Sequence, residues 1–184
     1  MLRGYKELWL AFLAMLLITG IYGAVYMATK EIPPAYELFG HGIGIIGFIL
    51  MLRTETLYSL RKRSRSVKWG KMSAWLQTHI FMGLVGPFMV LLHSSWKFNG
   101  LAGVSMLLTI IIVISGFIGR YIFTRIPRTL DGLEIEGTLS QEALKQARRL
   151  MALWHTIHIP IGMALFITAF VHIGAALYYA TLLK

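Results

Sequence analysis

The 184-residue chain has no cysteine. Disulfides, thiolate-held iron–sulfur clusters and haem attached covalently through sulfur are all excluded. Acid is scarce as well: eight Asp and Glu stand against 18 Lys and Arg, a formal net charge of +10. In a soluble protein that imbalance points to nucleic acid. Charged residues of both signs nevertheless make up only 14% of the chain, while 57% is hydrophobic and the mean hydropathy is +0.66. That is the composition of a protein dissolved in lipid, and no nucleic-acid partner is expected. Long polar stretches are missing too. The largest, residues 124–149, is too short to house a separate catalytic domain.

Five apolar runs organise what remains. Leu8 to Ala28 holds no charge, is long for a signal-peptide core and lacks a convincing cleavage site, so it reads as a retained helix. Pro33 and Pro34 stop it, and a second span runs over about 36–52, through GHGIGIIG around His41. The most basic segment, RTETLYSLRKRSRSVKWGK, leads to a third span over about 72–96. A fourth covers about 101–123 and a fifth about 150–183. The last exceeds what a bilayer needs, which predicts tilt or protrusion, with a kink at Pro160. Before it, Thr138-x-x-Gln141 resembles a capping box, and ALKQARRL predicts a helix running straight into the span. The expected fold is all-α: one transmembrane domain over 1–184, a five-span helix bundle.

Charge sets the expected orientation. The N-terminus, residues 53–71 and residues 120–149 hold 2, 7 and 6 Lys or Arg, against only Lys30, Lys97 and Lys184 on the other side. The positive-inside rule then places the N-terminus in the cytoplasm. Trp9, Trp69, Trp75 and Trp154 fall near the cytoplasmic interface, and Trp96, Tyr178 and Tyr179 near the other, as aromatic belts do. The expected location is a prokaryotic cytoplasmic (inner) membrane.

Histidine is where the chemistry lies. His79 and His93 in the third span are fourteen residues apart, and so are His158 and His172 in the fifth. At about 100° per residue, fourteen steps fall about 40° short of four turns, so both rings leave one helix face, separated by roughly 21 Å along the axis. Helices three and five run parallel if one span separates them, and His79 then matches His158 in depth, as His93 matches His172. An ionisable side chain inside a membrane is costly and usually functional. Without cysteine, haem could be held only by histidine or methionine, and two such helices can supply two axial-ligand pairs to two stacked haems.

Two H-x13-H helices separated by one span resemble the di-haem b-type membrane cytochromes, among them the respiratory cytochrome b core and the ferric-reductase-like transmembrane family. The resemblance covers about residues 72–175. It implies that His79, His93, His158 and His172 are axial ligands to two non-covalent, bis-histidine haem b groups that relay electrons across the bilayer. No flavin or nicotinamide domain follows the spans, unlike in self-sufficient reductases.

Other residues are read around that frame. Gly83 and Gly162 each follow an inner ligand by four and would clear a groove for the cofactor, or else serve helix packing. His155, one turn before His158, is the rival inner ligand. Its seventeen-residue interval to His172 turns the two rings about 100° apart, which favours His158 and leaves His155 for a propionate, a quinone headgroup or a partner. His41 shares the depth of His93 and is open to structural, propionate, quinone-binding and ligating roles. Arg120, with Arg125 and Arg128, ends the fourth span where inner propionates would need cations, although the positive-inside rule alone also accounts for them.

Two histidines per iron leave no open position, so such a site passes electrons. The expected function is a di-haem cytochrome b subunit of a membrane oxidoreductase complex, with other subunits and quinone among its partners. A histidine-based metal or proton transporter, or a cofactor-free anchor, are the alternatives. The former predicts carboxylates beside the histidines within the bilayer, yet every acidic residue lies near a span end or in a loop.

Overall fold

The computed structural model describes residues 5–63, 71–124 and 140–182. All regular structure among them is helical: α1 (Lys6–Thr29), α2 (Leu38–Arg63), α3 (Met72–His93), α4 (Gly100–Thr124) and α5 (Gln141–Leu182). Each of the five contains a stretch long and apolar enough to cross a membrane. Much of that apolar surface faces outward. Leu17 and Met27 on α1 are 67% and 68% exposed, an arrangement that water would penalise and lipid tails accept. The chain is an all-α integral membrane protein.

The helices form two compact units, α1–α3 and α4–α5. In the first, α3 packs against both α1 and α2. Its core joins Ala11 of α1, Ile43 of α2 and Val85, Met89 and Leu92 of α3. The backbones of α2 and α3 touch at one crossing. A Cβ on Gly47 would lie 2.9 Å from the Gly86 carbonyl oxygen, and one on Gly86 would lie 2.9 Å from that of Gly47. Only glycine permits such an approach, and dispersion between closely packed backbones is what joins helices in lipid.

One end of this unit is closed by local chemistry. Lys30 ends α1 in the left-handed region (φ 59°), its N–H donating to the Tyr26 carbonyl at 2.8 Å. Pro33 and Pro34 follow, so the helix cannot resume. Beyond α3, Ser95 and Trp96 are also left-handed (φ 47° and 62°). The buried Ser95 hydroxyl donates to the Pro33 carbonyl at 2.6 Å, which ties the end of α3 to the α1–α2 connection. The third span is therefore shorter than its apolar run: helix stops at His93, and residues 94–96 turn.

In the second unit, α4 packs along α5, burying Met106, Thr109, Ser115 and Gly119 of α4 and Leu165 of α5. Helix α5 starts at Gln141 and runs straight into the fifth span, as the ALKQARRL pattern predicts, and the helix continues past Pro160 to Leu182. The capping box expected at Thr138 lies outside the described residues. Ser140 performs the capping, its hydroxyl accepting the Ala143 N–H at 3.2 Å.

Candidate functional site

His79 and His93 both reach α2. Nδ1 of His79 lies 3.1 Å from the Thr54 carbonyl oxygen, and Nδ1 of His93 lies 2.9 Å from that of Gly40. The two acceptors are themselves fourteen residues apart, running opposite to the two histidines, so one antiparallel register seats both rings alike. A carbonyl oxygen can only accept, so each Nδ1 carries hydrogen and donates it. In a neutral ring the lone pair then belongs to Nε2. This is the form in which a ligating imidazole is usually held, with its other nitrogen bound to a carbonyl or carboxylate.

The glycine-rich face of α2 makes room for this. A Cβ on Gly44 would lie 2.6 Å from Cγ of His93, inside the ring's contact distance. Gly40, whose carbonyl receives His93, is itself pressed against the Pro34 backbone. Within GHGIGIIG, Gly44 and Gly47 permit the close approach of α3. His41 is exposed, its Nδ1 3.3 Å from the Ala35 carbonyl, and its ring meets that of His93 edge-on at 6.1 Å.

In the second unit His158 is held differently. Its Nδ1 lies 2.9 Å from the hydroxyl of Ser115 on α4, and the indole of Trp154 lies over its ring at 4.4 Å with the planes 30° apart. His155 turns back on its own helix, with Nδ1 3.0 Å from the Met151 carbonyl, and touches the same indole at 4.8 Å. His172 is half-buried fourteen residues beyond His158 on the same uninterrupted helix. Three of the four histidines expected as ligands thus have Nδ1 bound to a neighbouring helix.

The expected groove glycines face neighbouring helices within their own units. A Cβ on Gly83 would meet Thr54 of α2 at 3.6 Å, and one on Gly162 would meet Ile112 of α4 at 3.9 Å, both ordinary contacts. Arg120 is half-buried four residues before the end of α4, while Arg125 and Arg128 lie outside the described residues. Among the described residues no group of three or more His, Cys, Asp or Glu side chains is arranged to hold a metal ion. A bis-imidazole iron site asks for two.

Sequence reasoning missed Ser115 and its bond to Trp154. The indole N–H of Trp154, a residue the sequence puts near the cytoplasmic interface, donates to Ser115, at 2.7 Å to the carbonyl and 3.1 Å to the hydroxyl. No protein-family model, curated protein or solved structure matches the chain.

Proposed function

We propose that this protein is a di-haem b-type cytochrome subunit of a membrane oxidoreductase complex. In this reading His79 and His158 grip one haem, and His93 and His172 the other, with the N-terminus in the cytoplasm of a prokaryotic cell and the complex in its inner membrane. The observation that supports it best is the pair of Nδ1–H to carbonyl bonds on His79 and His93, which repeat at the same fourteen-residue interval in donor and acceptor helices. A histidine that only filled a core would need a partner, but it would not need the same tautomer twice at one spacing.

When bound, haem would supply one-electron transfer, and these four histidines would hold its iron. The chain's own residues would set how that happens. The Thr54 and Gly40 carbonyls fix ring orientation and, by accepting the Nδ1 hydrogen, raise the basicity of Nε2. The apolar spans, in lipid, would exclude water around each imidazole, and the Lys and Arg excess at one set of helix ends would favour propionates there. Electrons would pass between a redox partner on one face and quinone, or another partner subunit, on the other. His41 and His155, which touch His93 and Trp154, are the candidates for contact with a quinone or a propionate.

A reduced-minus-oxidised spectrum of the purified chain tests the proposal. A b-type signal, halved in His79→Ala, is the expected result. A spectrum without haem from protein isolated intact out of its native membrane would overturn it and leave the transporter or anchor.

A further inference from the structure

The connection between α1 and α2 meets the end of α3 twice, and both meetings bear on one histidine. Pro33 and Pro34 carry no N–H, so their backbone offers only acceptors. The Pro33 carbonyl takes the Ser95 hydroxyl at 2.6 Å, and the Pro34 carbonyl takes the Glu37 N–H at 3.2 Å. Gly40 rests directly on this backbone: a Cβ there would collide with the Pro34 carbonyl and lie 3.2 Å from Cα of Ala35. The carbonyl of the same Gly40 accepts the Nδ1 hydrogen of His93 at 2.9 Å. His93 and Ser95 are two residues apart, so the contacts close a ring from His93 through Gly40, Pro34 and Pro33 to Ser95. Every other link in it is backbone or imidazole, and the Ser95 hydroxyl is the one that a substitution removes cleanly. The turn it holds is a costly one. Ser95 and Trp96 take left-handed backbone (φ 47° and 62°), which a residue with a Cβ rarely adopts unless its surroundings impose it. The hydroxyl has one hydrogen, and the Pro33 carbonyl takes it in preference to the His93 carbonyl at 3.5 Å. Ser95 and Pro33 are both buried, and among the described residues no other donor reaches the Pro33 carbonyl. Loss of the hydroxyl would leave that carbonyl unsatisfied and release the turn.

We infer that Ser95 is a positioning residue for His93: its bond to Pro33 holds the α1–α2 connection against the end of α3 and so keeps the Gly40 carbonyl on Nδ1 of His93. The consequence for a bound haem rests on the cytochrome reading, whereas the seat itself rests on the packing of this unit alone. His79 supplies an internal comparison. Its acceptor, the Thr54 carbonyl, lies fourteen residues along α2 from Gly40 and takes no part in the ring.

Three measurements on the full-length purified protein test it. In a redox titration, Ser95→Ala should raise the midpoint potential of one haem and leave the other in place, because a looser Nδ1–H bond lowers imidazole basicity and disfavours the ferric state. The haem that shifts should be the one lost in His93→Ala and kept in His79→Ala. Its release to an acceptor protein should speed up about three- to tenfold, the range of one lost hydrogen bond. Gly40→Ala forces the connection away on the other side of the same ring and should shift the same haem, which covers the case in which Ser95→Ala does not fold. Unchanged potentials in both variants, or a shift of the haem lost in His79→Ala, would overturn the inference while leaving the cytochrome intact. If the native protein holds no haem, the cytochrome reading falls separately, and 15N spectra of labelled histidine then decide. His93 should carry hydrogen at Nδ1 in the native chain and gain a share of the Nε2–H form in Ser95→Ala, with His79 alike in both. Identical His93 signals in the two chains would refute the role of Ser95.

Discussion

A glycine beside a histidine ring is a sharp probe of whether that ring's placement matters. The Cβ of Gly44→Ala would sit 2.6 Å from Cγ of His93, so the imidazole must leave the Gly40 carbonyl to accommodate it. Overpacking of this kind costs about 1–3 kcal/mol. Gly42→Ala meets nothing within 4 Å and gains the better helix former. The expected outcome is a lower unfolding temperature and loss of one haem signal in Gly44→Ala, with Gly42→Ala at or above the native values. Identical behaviour of the two variants would mean that His93 has no special seat. Ligand assignment is tested at the same scale. His79→Ala and His158→Ala should lose one and the same haem, His93→Ala and His172→Ala the other, and His155→Ala neither. Retention of both haems in His158→Ala, with loss of one in His155→Ala, would reverse the choice between the two.

Residue chemistry was only partly legible in the sequence. The four histidines declare themselves because an ionisable side chain in an apolar run is rare and two equal intervals are rarer. Their acceptors do not. The carbonyls of Thr54 and Gly40 belong to the backbone, which every residue has, and only the antiparallel register of α2 on α3 brings them under the rings. Ser115 gave no signal because a serine in an apolar helix usually bonds back to its own turn. The bond of Trp154 to Ser115 gave no signal either, because a Trp near a span end also suits an interfacial belt, and a glycine making room for it on another helix is not visible at that distance in the chain.

Helix existence followed from hydropathy and helix ends did not. The apolar run of the third span continues to Trp96, yet helix stops at His93 because Ser95 and Trp96 take left-handed backbone and Ser95 bonds to Pro33, sixty-two residues away. In the second span helix continues to Arg63, past the expected 52, since the basic residues that end an apolar run do not end a helix. Packing between elements has its own test at the Gly47–Gly86 crossing. Gly86→Ala would put a Cβ 2.9 Å from the Gly47 carbonyl oxygen and 3.2 Å from the Met51 nitrogen, both backbone atoms that cannot step aside. A loss of about 1–3 kcal/mol is expected, read as a lower unfolding temperature in detergent, whereas Gly174→Ala, with nothing within 4 Å, should cost nothing. Equal stability of the two would mean that α2 and α3 do not meet at this point.

For the molecule as a whole, the proposed topology has all five helices crossing the membrane, which would put the N- and C-termini on opposite faces, with the Lys- and Arg-rich face cytoplasmic. The natural lack of cysteine makes this simple to probe. A single thiol from Ser64→Cys should react with an impermeant reagent only from the cytoplasm, and one from Asn99→Cys only from outside. The reverse pattern would invert the topology. In that proposed orientation the two histidine levels would lie towards opposite sides, and an electron moving outward from a negative cytoplasm would be favoured by about 2.3 kcal/mol per 100 mV. The most direct test of the central claim is the amount of haem per polypeptide in protein isolated intact from its native membrane. Two haem b per chain, non-covalent and extractable, is the predicted value; one would leave a histidine pair without its ligand role, and none would contradict the account.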